Sequence, residues 1–278
     1  MLPPLVVITG PTGVGKTEVA VLLASRFRVE VISADSRQVY RGMDIGTAKP
    51  TGEQCRAVPH HLVDVVNPDE RYHAARFRAA AREAISAILA RENLPLVVGG
   101  TGLYIRALLR GLLPAPPADP EVRRELGLAL EREGVQSLHR RLRDVDPEAA
   151  RRIHPRDPVR IIRALEIHRL TGAPLGMPSH WRQSLPEWRA LLVGLTRPRP
   201  SLYAALDARV ELMVARGLKE ETRRLLDAGH SPTLPAMQGI GYRHFSRVIR
   251  GSWSEGDALR AMKRDTRQYA KRQWTWFA

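Results

Sequence analysis

The chain has 278 residues, 44% of them hydrophobic and 26% charged, a composition that supports a substantial buried core and excludes wholesale disorder. Its 44 Lys and Arg residues outnumber its 29 Asp and Glu residues, and the formal net charge of +15 favours a polyanionic partner such as nucleic acid over a lineage-wide bias towards arginine. The single cysteine, Cys55, excludes an intramolecular disulfide, and no apolar run approaches the roughly 20 residues of a membrane span, so we expect a soluble cytoplasmic protein.

The N-terminal part alternates short apolar runs with helically spaced apolar residues. Residues 5–9, 29–33 and 96–98 are short, apolar and rich in β-branched side chains, a pattern that predicts buried strands. Apolar spacing predicts helices over about 16–27 and 74–91. The alternation predicts the α/β fold class, with a parallel sheet like that of P-loop NTPases and helices on both faces.

The pattern changes at a proline-rich segment, 114–120, which cannot form regular helix or a central strand. Residues 121–170 are arginine-rich and helical in pattern, and 190–195 again indicates a buried strand. A helical subdomain inserted into the α/β core explains this order better than two sequential domains. We predict a catalytic core of residues 1–113 and 187–278, and an inserted helical subdomain of residues 114–186 with Pro- and Gly-rich hinges.

A phosphate-binding P-loop follows the first predicted strand and precedes the first predicted helix. Its residues are Gly10, Pro11, Thr12, Gly13, Val14, Gly15, Lys16 and Thr17. The glycines let backbone N–H groups converge on phosphate oxygens, and the helix adds the positive end of its dipole. Lys16 supplies a charge for the terminal phosphate, and the Thr17 hydroxyl is placed to ligate Mg²⁺. The motif predicts binding of a diphosphate or triphosphate without naming the reaction.

Polar residues follow the second and third predicted strands. Asp35 comes directly after 29–33, where a carboxylate can accept a proton from a nucleophile or can cap a helix N-terminus. Thr101 follows the glycines that end the third strand and offers a hydroxyl in the same cleft. The adjacent His60 and His61 invite a metal interpretation, but neighbours on an extended segment point in opposite directions, which favours a structural or substrate-contact role.

These and further segments together resemble the tRNA dimethylallyltransferase (tRNA isopentenyltransferase) family, bacterial type. The similar segments, in chain order, are Gly10–Thr17, Asp35–Tyr40, Met43–Pro50, Pro59–Asp64, Gly99–Tyr104, Asp157–Glu166, Gly239–Arg243 and Thr266–Phe277. They extend over nearly the whole chain, and Met43–Pro50 and the Tyr-Ala-Lys-Arg-Gln run ending at Gln273 are particularly specific.

The resemblance implies transfer of a dimethylallyl group from dimethylallyl diphosphate to N6 of the adenosine that lies 3′ of the tRNA anticodon, with release of diphosphate. It implies Asp35 as general base, with Thr101 and Lys16 as further catalytic residues. It places the leaving diphosphate on Gly10–Thr17 and Arg209, with Mg²⁺ as cofactor at Thr17. The family often has a second arginine four residues before Arg209, where this chain has Ala205.

The resemblance also implies the residues that contact the anticodon stem-loop of tRNA. They are Asp35, Ser36, Arg37, Gln38, Thr101, Arg123, Val159, Arg160, Ile161, Ile162, Arg163, Gly239, Gly241, Arg243, Arg267, Lys271 and Arg272. Residues 35–38 would line the pocket of the flipped adenine, and Gln38 is a candidate to read its edge. Spacings of three and four independently place a basic stripe on the last helix, formed by Arg260, Lys263, Arg264, Arg267 and Lys271. We expect no membrane partner and a monomer.

Three other functions compete with this interpretation. A P-loop kinase acting on a small molecule or nucleoside shares the P-loop and would also place a base such as Asp35 beside its acceptor. A non-enzymatic RNA-binding module explains the charge but leaves the P-loop and Asp35 without a role. A prenyltransferase acting on free adenine nucleotides explains the site, but the helical insertion and the net charge favour tRNA.

Overall fold

The computed structural model describes residues 2–112, 115–175 and 187–277. The chain divides into two compact units, Met1–Gly111 with Pro186–Ala278 and Leu112–Leu185. The predicted hinge over 172–186 lies largely outside the described residues. Among the described residues, no helix combines the length and apolar character needed to cross a membrane.

The first unit is built on one five-stranded parallel sheet. Its strands are β1 (Pro4–Thr9), β2 (Val29–Ser33), β3 (His60–His61), β4 (Leu94–Gly99) and β5 (Arg189–Gly194), in the order β3-β2-β4-β1-β5. The register pairs Thr9 with Gly99 and Ser33 with Val98, so the carboxyl ends of β1, β4 and β2 lie level. The polar segments that follow these strands therefore meet at one edge of the sheet.

Twelve helices are present in the described part of the chain. They are α1 (Lys16–Ala24), α2 (Gly52–Ala57), α3 (Ala74–Ala90), α4 (Gly102–Arg110), α5 (Pro120–Glu133), α6 (Val135–Val145), α7 (Pro147–Arg152), α8 (Pro158–Thr171), α9 (Arg199–Ala215), α10 (Leu218–Asp227), α11 (Tyr242–Ile249) and α12 (Glu255–Phe277). In α3, Phe77, Ala81, Ile85 and Ile88 are buried, as their spacing predicts. The predicted parallel α/β core surrounded by helices is confirmed, although α1 ends at Ala24 rather than near Phe27.

The prediction of a buried strand over 190–195 is wrong in its burial. β5 is present, but it forms the edge of the sheet and all six of its residues are exposed. Leu191 and Leu192 expose 60% and 56% of their surface. A short apolar run indicates a strand but carries no information about whether that strand is central or at an edge.

The second unit contains α5–α8 around its own apolar core. Prolines at the first turns of α5, α7 and α8 follow Asp119, Asp146 and Asp157, whose carboxylates each accept a backbone N–H of the following turn. Apolar side chains from all four helices, including Leu126, Leu138, Ala149 and Ile161, pack together. This arrangement explains why the sequence pattern of residues 121–170 is helical throughout.

A buried carboxylate, Glu166, ties α5 and α8 together. Its oxygens accept hydrogen bonds from the Arg123 guanidinium at 2.9 and 3.0 Å, from Arg163 at 2.7 Å, and from the Asp119 N–H at 2.8 Å. Burial raises the pKa of Glu166, but these hydrogen bonds outweigh it and the pKa lies below its usual value. Glu166 is therefore ionised at neutral pH and organises two arginines of this unit.

Glu166→Gln should lower the stability of the protein by about 2 kcal/mol, because the amide cannot accept all four hydrogen bonds and leaves its arginine partners uncompensated. Glu121→Gln is the matched control, since Glu121 pairs with Arg124 on the surface and should change stability by less than about 0.5 kcal/mol. Urea unfolding followed by circular dichroism measures both changes. Equal effects of the two substitutions would contradict the structural role of Glu166.

Candidate active site

A cavity of about 760 Å³ lies at the carboxyl edge of the sheet. The P-loop lines one side through Thr12–Thr17, and the turn Asp35–Gln38 lines another. Arg209, from α9, and Tyr269, from α12, also line the cavity. The structure therefore brings the predicted phosphate-binding and proton-accepting residues of the first unit into one space.

The P-loop has the conformation that its glycines allow. Gly10 adopts a φ of +143°, and a Cβ there would overlap the carbonyl oxygen of Leu195, so no larger residue fits. Gly15 has a φ of +100° and directly precedes α1, whose first residue is Lys16. The predicted strand–loop–helix arrangement is present, with backbone N–H groups at the positive end of the helix.

Two cations of the cavity lie partly buried beside the P-loop. The Lys16 ammonium donates to the carbonyl oxygens of Gly10 and Pro11 at 3.0 and 2.9 Å, and Arg209 donates to the Thr12 hydroxyl at 3.1 Å. Burial lowers the pKa of Lys16 to about 8, opposed by the nearby Asp35 carboxylate, and burial also lowers the pKa of Arg209. A bound diphosphate would supply the negative charge that these desolvated cations favour.

Asp35 lines the cavity and caps a turn with one of its two carboxylate oxygens. Its Oδ1 accepts the N–H of Arg37 at 2.8 Å and that of Gln38 at 3.4 Å. Within the described residues, Oδ2 has no hydrogen-bond donor. Both interpretations of Asp35 are thus compatible, since capping occupies one oxygen and leaves the second available to accept a proton.

The neighbours of Asp35 are fixed by further hydrogen bonds. The Thr101 hydroxyl oxygen accepts the Ser36 N–H at 3.0 Å, and Arg37 donates to the carbonyl oxygen of Pro235. Gln38 donates to the Ala48 carbonyl at 3.0 Å and accepts from the Ser33 hydroxyl at 2.9 Å. Each end of the Gln38 amide makes one hydrogen bond, which fixes its orientation and leaves one N–H and one lone pair for a ligand, and its reading of an adenine edge stays a prediction.

Sequence reasoning missed the residue that holds the Met43–Pro50 segment at the cavity. The Glu221 carboxylate, 2% exposed, accepts the backbone N–H groups of Asp44, Ile45 and Gly46 at 2.9–3.1 Å and the Tyr242 hydroxyl at 2.6 Å. Burial and the Glu221 charge raise the pKa of Tyr242, so its hydroxyl stays protonated and donates. A buried glutamate on an otherwise amphipathic helix is the one local signal of this contact.

Two further arginines reach the cavity without a prior assignment to diphosphate. Arg197, in the segment between β5 and α9, lines the cavity together with Ala205 and Arg209. Arg272, predicted as a tRNA contact, also lines it and lies 5.9 Å from the centre of the Tyr269 ring. The cavity is therefore lined by cationic side chains beyond Lys16 and Arg209, although Ala205 stands where the resemblance leads us to expect a second arginine.

The other predicted tRNA contacts of the first unit differ in their surroundings. Gly239 and Arg243 line the cavity, Arg243 pairs with Asp265, and Gly241 donates its N–H to His244 Nδ1 at 3.1 Å.

Four members of the predicted basic stripe on α12 have acidic partners: Arg260 with Asp257, Lys263 with Glu211, Arg264 with Asp265 and Arg267 with Asp207. Lys271 is exposed. The stripe is thus largely neutralised by its neighbours.

The predicted contacts of the second unit include both exposed and buried side chains. Val159 is 76% exposed, whereas Ile161 is fully buried and Ile162 packs partly against the same core. Arg160 pairs with Asp157, in addition to the Glu166 pairs of Arg123 and Arg163. The Ile161 side chain therefore belongs to the core of its unit, and a contact from this position would have to use its backbone.

The paired histidines have separate protein partners. His61 bonds Glu30 through Nε2 at 2.6 Å, and His60 bonds the carbonyl oxygen of Val58 through Nδ1 at 2.8 Å. The described residues contain no group of three or more His, Cys, Asp or Glu side chains arranged to hold a metal ion. These contacts support the structural interpretation of the pair.

The chain is a P-loop protein, because it combines a parallel sheet with a glycine-rich loop and a lysine at the start of the helix that follows. Two family models match the chain, "IPP transferase" over residues 38–278 and "Isopentenyl transferase" over residues 3–64. The chain belongs to the IPP transferase family.

Individual relatives agree over nearly the full chain. The tRNA dimethylallyltransferase of Geobacter metallireducens is 51% identical over 98% of this chain and 89% of its own length, and that of Thermomicrobium roseum is 50% identical over 98% and 83%. The crystal structure of the Bacillus halodurans tRNA isopentenylpyrophosphate transferase has a TM-score of 0.72 at 44% identity, covering 99% of this chain and 86% of that one. A eukaryotic dimethylallyltransferase, described as acting on tRNA, has a TM-score of 0.81 at 31% identity, covering 99% and 69%.

Diphosphate should bind less tightly as the pH rises through about 8, because the Lys16 ammonium loses its proton there and the anion favours the protonated form. The affinity for diphosphate should fall by up to about tenfold per pH unit above the pKa of Lys16. Lys16→Met should weaken binding about 10- to 100-fold at pH 7 and remove this component. Calorimetric titration with inorganic diphosphate from pH 6.5 to 9.5 measures it.

The difference between wild type and Lys16→Met isolates Lys16 from the titration of diphosphate itself. Lys219→Met is the control, because Lys219 pairs with Glu255 on the surface of the protein. A difference that stays constant across the pH range would contradict the lowered pKa of Lys16.

Proposed function

We propose that this protein transfers the dimethylallyl group of dimethylallyl diphosphate to N6 of an adenosine in tRNA, with release of diphosphate. The observation that carries the proposal is a cavity lined both by a P-loop with two partly buried cations and by a carboxylate turn. The family membership and the names of the relatives support the same reaction. The adenosine is proposed to lie 3′ of the anticodon.

The P-loop side of the cavity acts on the leaving group. As the bond between C1 of the dimethylallyl group and the diphosphate oxygen breaks, its electron pair stays on the diphosphate. Lys16, Arg209 and the N–H groups of the P-loop are placed to stabilise that charge where it develops. Arg197 also lines the cavity and is proposed to add a further cation for the diphosphate.

Mg²⁺ is proposed as the cofactor, and the donors at the P-loop fit it. The Thr17 hydroxyl lines the cavity, and Mg²⁺ in proteins commonly combines few protein oxygens with phosphate oxygens and waters. When bound there, the ion would neutralise part of the diphosphate charge.

The opposite side of the cavity acts on the acceptor. The adenine N6 attacks C1, a new carbon–nitrogen bond forms, and the nitrogen then carries a proton that must leave. Asp35 is proposed to accept it through Oδ2, while Oδ1 stays bonded to the turn. Thr101, which bonds Ser36, holds that turn and is proposed to contact the target nucleotide.

The acceptor is proposed to be tRNA because of charge. The net charge of +15 favours a polyanion, and bases in an anticodon loop are already poorly stacked and readily extruded into a pocket. Arg37, Arg243 and Arg272 at the cavity are the proposed contacts beside the target base. The arginines of the second unit are proposed to contact the stem-loop.

Incubation with dimethylallyl diphosphate, Mg²⁺ and unmodified tRNA should yield dimethylallyladenosine in the tRNA, detected by mass spectrometry after nuclease digestion. The product should lie in the anticodon-loop fragment. Free AMP and ADP are the control acceptors, because a prenyltransferase of free nucleotides would modify them instead. An enzyme that leaves tRNA unmodified but phosphorylates an acceptor with ATP would be the kinase alternative and would contradict the proposal.

Asp35→Asn should lower kcat by about 10²- to 10⁴-fold, because the amide oxygen still caps the turn but the amide cannot accept the N6 proton. The Kd for tRNA should change by less than about threefold, since the turn keeps its hydrogen bonds. Single-turnover prenylation and filter binding measure the two quantities. A variant that retains turnover but loses tRNA binding would show that Asp35 is structural.

A further inference from the structure

Gln273 on α12 bonds two loops that follow the adjacent strands β1 and β4. Its Oε1 accepts the backbone N–H of Thr12 in the P-loop at 2.8 Å, and its Nε2 donates to the carbonyl oxygen of Gly100 at 2.9 Å. Gly100 belongs to the turn that follows β4, directly before Thr101. One buried amide, 6% exposed, thus joins the P-loop to the turn that carries Thr101.

Tyr269 makes a second connection one helical turn earlier. Its hydroxyl lies beside the Thr101 side chain, whose oxygen accepts the Ser36 N–H. Burial raises the pKa of Tyr269 to about 12, helped by the nearby Asp35 charge, so the hydroxyl is protonated at neutral pH. Because residues four apart share a helix face, α12 contacts the P-loop, the Gly100 turn and the Asp35 turn from one face.

This polar contact is not needed to attach the helix. Ala270 of α12 already packs in an apolar cluster with Leu202 and Leu206 of α9. An amide buried at this point gains little over an apolar side chain unless both of its ends are bonded in a fixed orientation. The fit is also tight, since a Cβ at Gly100 would overlap the Gln273 Nε2.

The hydrogen bond to Gln273 affects one particular backbone N–H group of the P-loop. Thr12 offers one of the backbone N–H groups of the loop, and Gln273 occupies it. The Thr12 hydroxyl meanwhile accepts from Arg209. Position 12 is thus held from two sides by protein groups, which leaves the following residues to face phosphate oxygens and fixes the loop relative to the Gly100 turn.

We propose that Gln273 and Tyr269 are positioning residues that hold the diphosphate cradle and the acceptor turn at a fixed separation, so that C1 of the allyl group lies in line with the attacking N6. The inference rests on the proposed function. It assigns to α12 the task of keeping the two loops that bind the reactants at a fixed separation. Alkyl transfer needs this control because the two reactants are bound by different loops. A misplacement of about 1 Å between reacting groups can cost about 100-fold in rate.

The test compares Gln273→Met with Gln268→Met. Methionine approximates the length and volume of glutamine but makes neither hydrogen bond, and Gln268 is an exposed residue of the same helix. Gln273→Met should lower the single-turnover rate with saturating substrates by about 100-fold. Its Kd for tRNA and for inorganic diphosphate should stay within about threefold of wild type. Gln268→Met should match wild type throughout.

A merely structural role would give a different result. Gln273→Met would then unfold at a lower temperature and contain fewer active sites, but the rate per active site, counted by a burst of product, would equal that of wild type. That outcome would overturn the inference. A wild-type enzyme that prenylates no tRNA would instead contradict the proposed function, so the two failures are distinguishable.

Two further variants keep the test decisive if Gln273→Met fails to fold. Gln273→Glu keeps the acceptor for the Thr12 N–H and loses the donor to Gly100, and Tyr269→Phe loses the hydroxyl contact with Thr101 alone. Tyr269→Phe should lower the single-turnover rate by about 5- to 20-fold, and Gln273→Glu should lower it further, because its buried carboxylate also faces the Gly100 carbonyl oxygen. Both variants reacting at the wild-type rate would overturn the inference.

Discussion

The parallel pairing of β1, β4 and β2 is the constraint on which the site depends. Because these three strands run in the same direction with Thr9 level with Gly99 and Ser33 level with Val98, the segments that follow them must emerge at one edge. The P-loop, the Gly100–Thr101 turn and the Asp35 turn are those segments. Residues separated by tens of positions in the chain therefore share a cavity without any long loop having to fold over it.

Charge is divided across that cavity in a way that suits a leaving group on one side and a proton acceptor on the other. Lys16 and Arg209 lie partly buried on the P-loop side, where desolvation lowers the pKa of both. Asp35 lies close enough to act on the charge of each, yet keeps one oxygen free of donors among the described residues. The same P-loop that holds a nucleotide in other proteins is thus compatible with a departing isoprenoid diphosphate.

The sequence predicted the parts of this arrangement that leave a local signature. The P-loop motif, the strand 29–33 and the apolar spacing of α3 each depend on residues close together in the chain, and each is present as predicted. Edge exposure of β5 left no such signature, because it depends on which strands pair with it. The contacts of Gln273 and Glu221 were missed because their partners lie 261 and 175–177 residues away, although Gln273 ends a family-specific run and Glu221 lies on an otherwise amphipathic helix.

Ion pairing also limits what a charge pattern can predict. The stripe on α12 and the arginines of the second unit look available for phosphates in the sequence, yet many of them pair with carboxylates. Some of these carboxylates are distant in the chain, such as Glu166 for Arg123 and Asp207 for Arg267, and others are close, such as Asp257 for Arg260. The residues that face the cavity, such as Arg197 and Arg272, stand outside any regular pattern. Their positions follow from the fold rather than from helical spacing.

We propose that the P-loop binds diphosphate as the leaving group and that the dimethylallyl group is transferred. This proposal is tested most directly with dimethylallyl diphosphate carrying ¹⁴C in the allyl group and ³²P in the terminal phosphate, incubated with unmodified tRNA. We expect ¹⁴C to enter the tRNA and ³²P to be released as diphosphate, in equal molar amounts. Transfer of ³²P to tRNA, or release of diphosphate without ¹⁴C in tRNA, would contradict it.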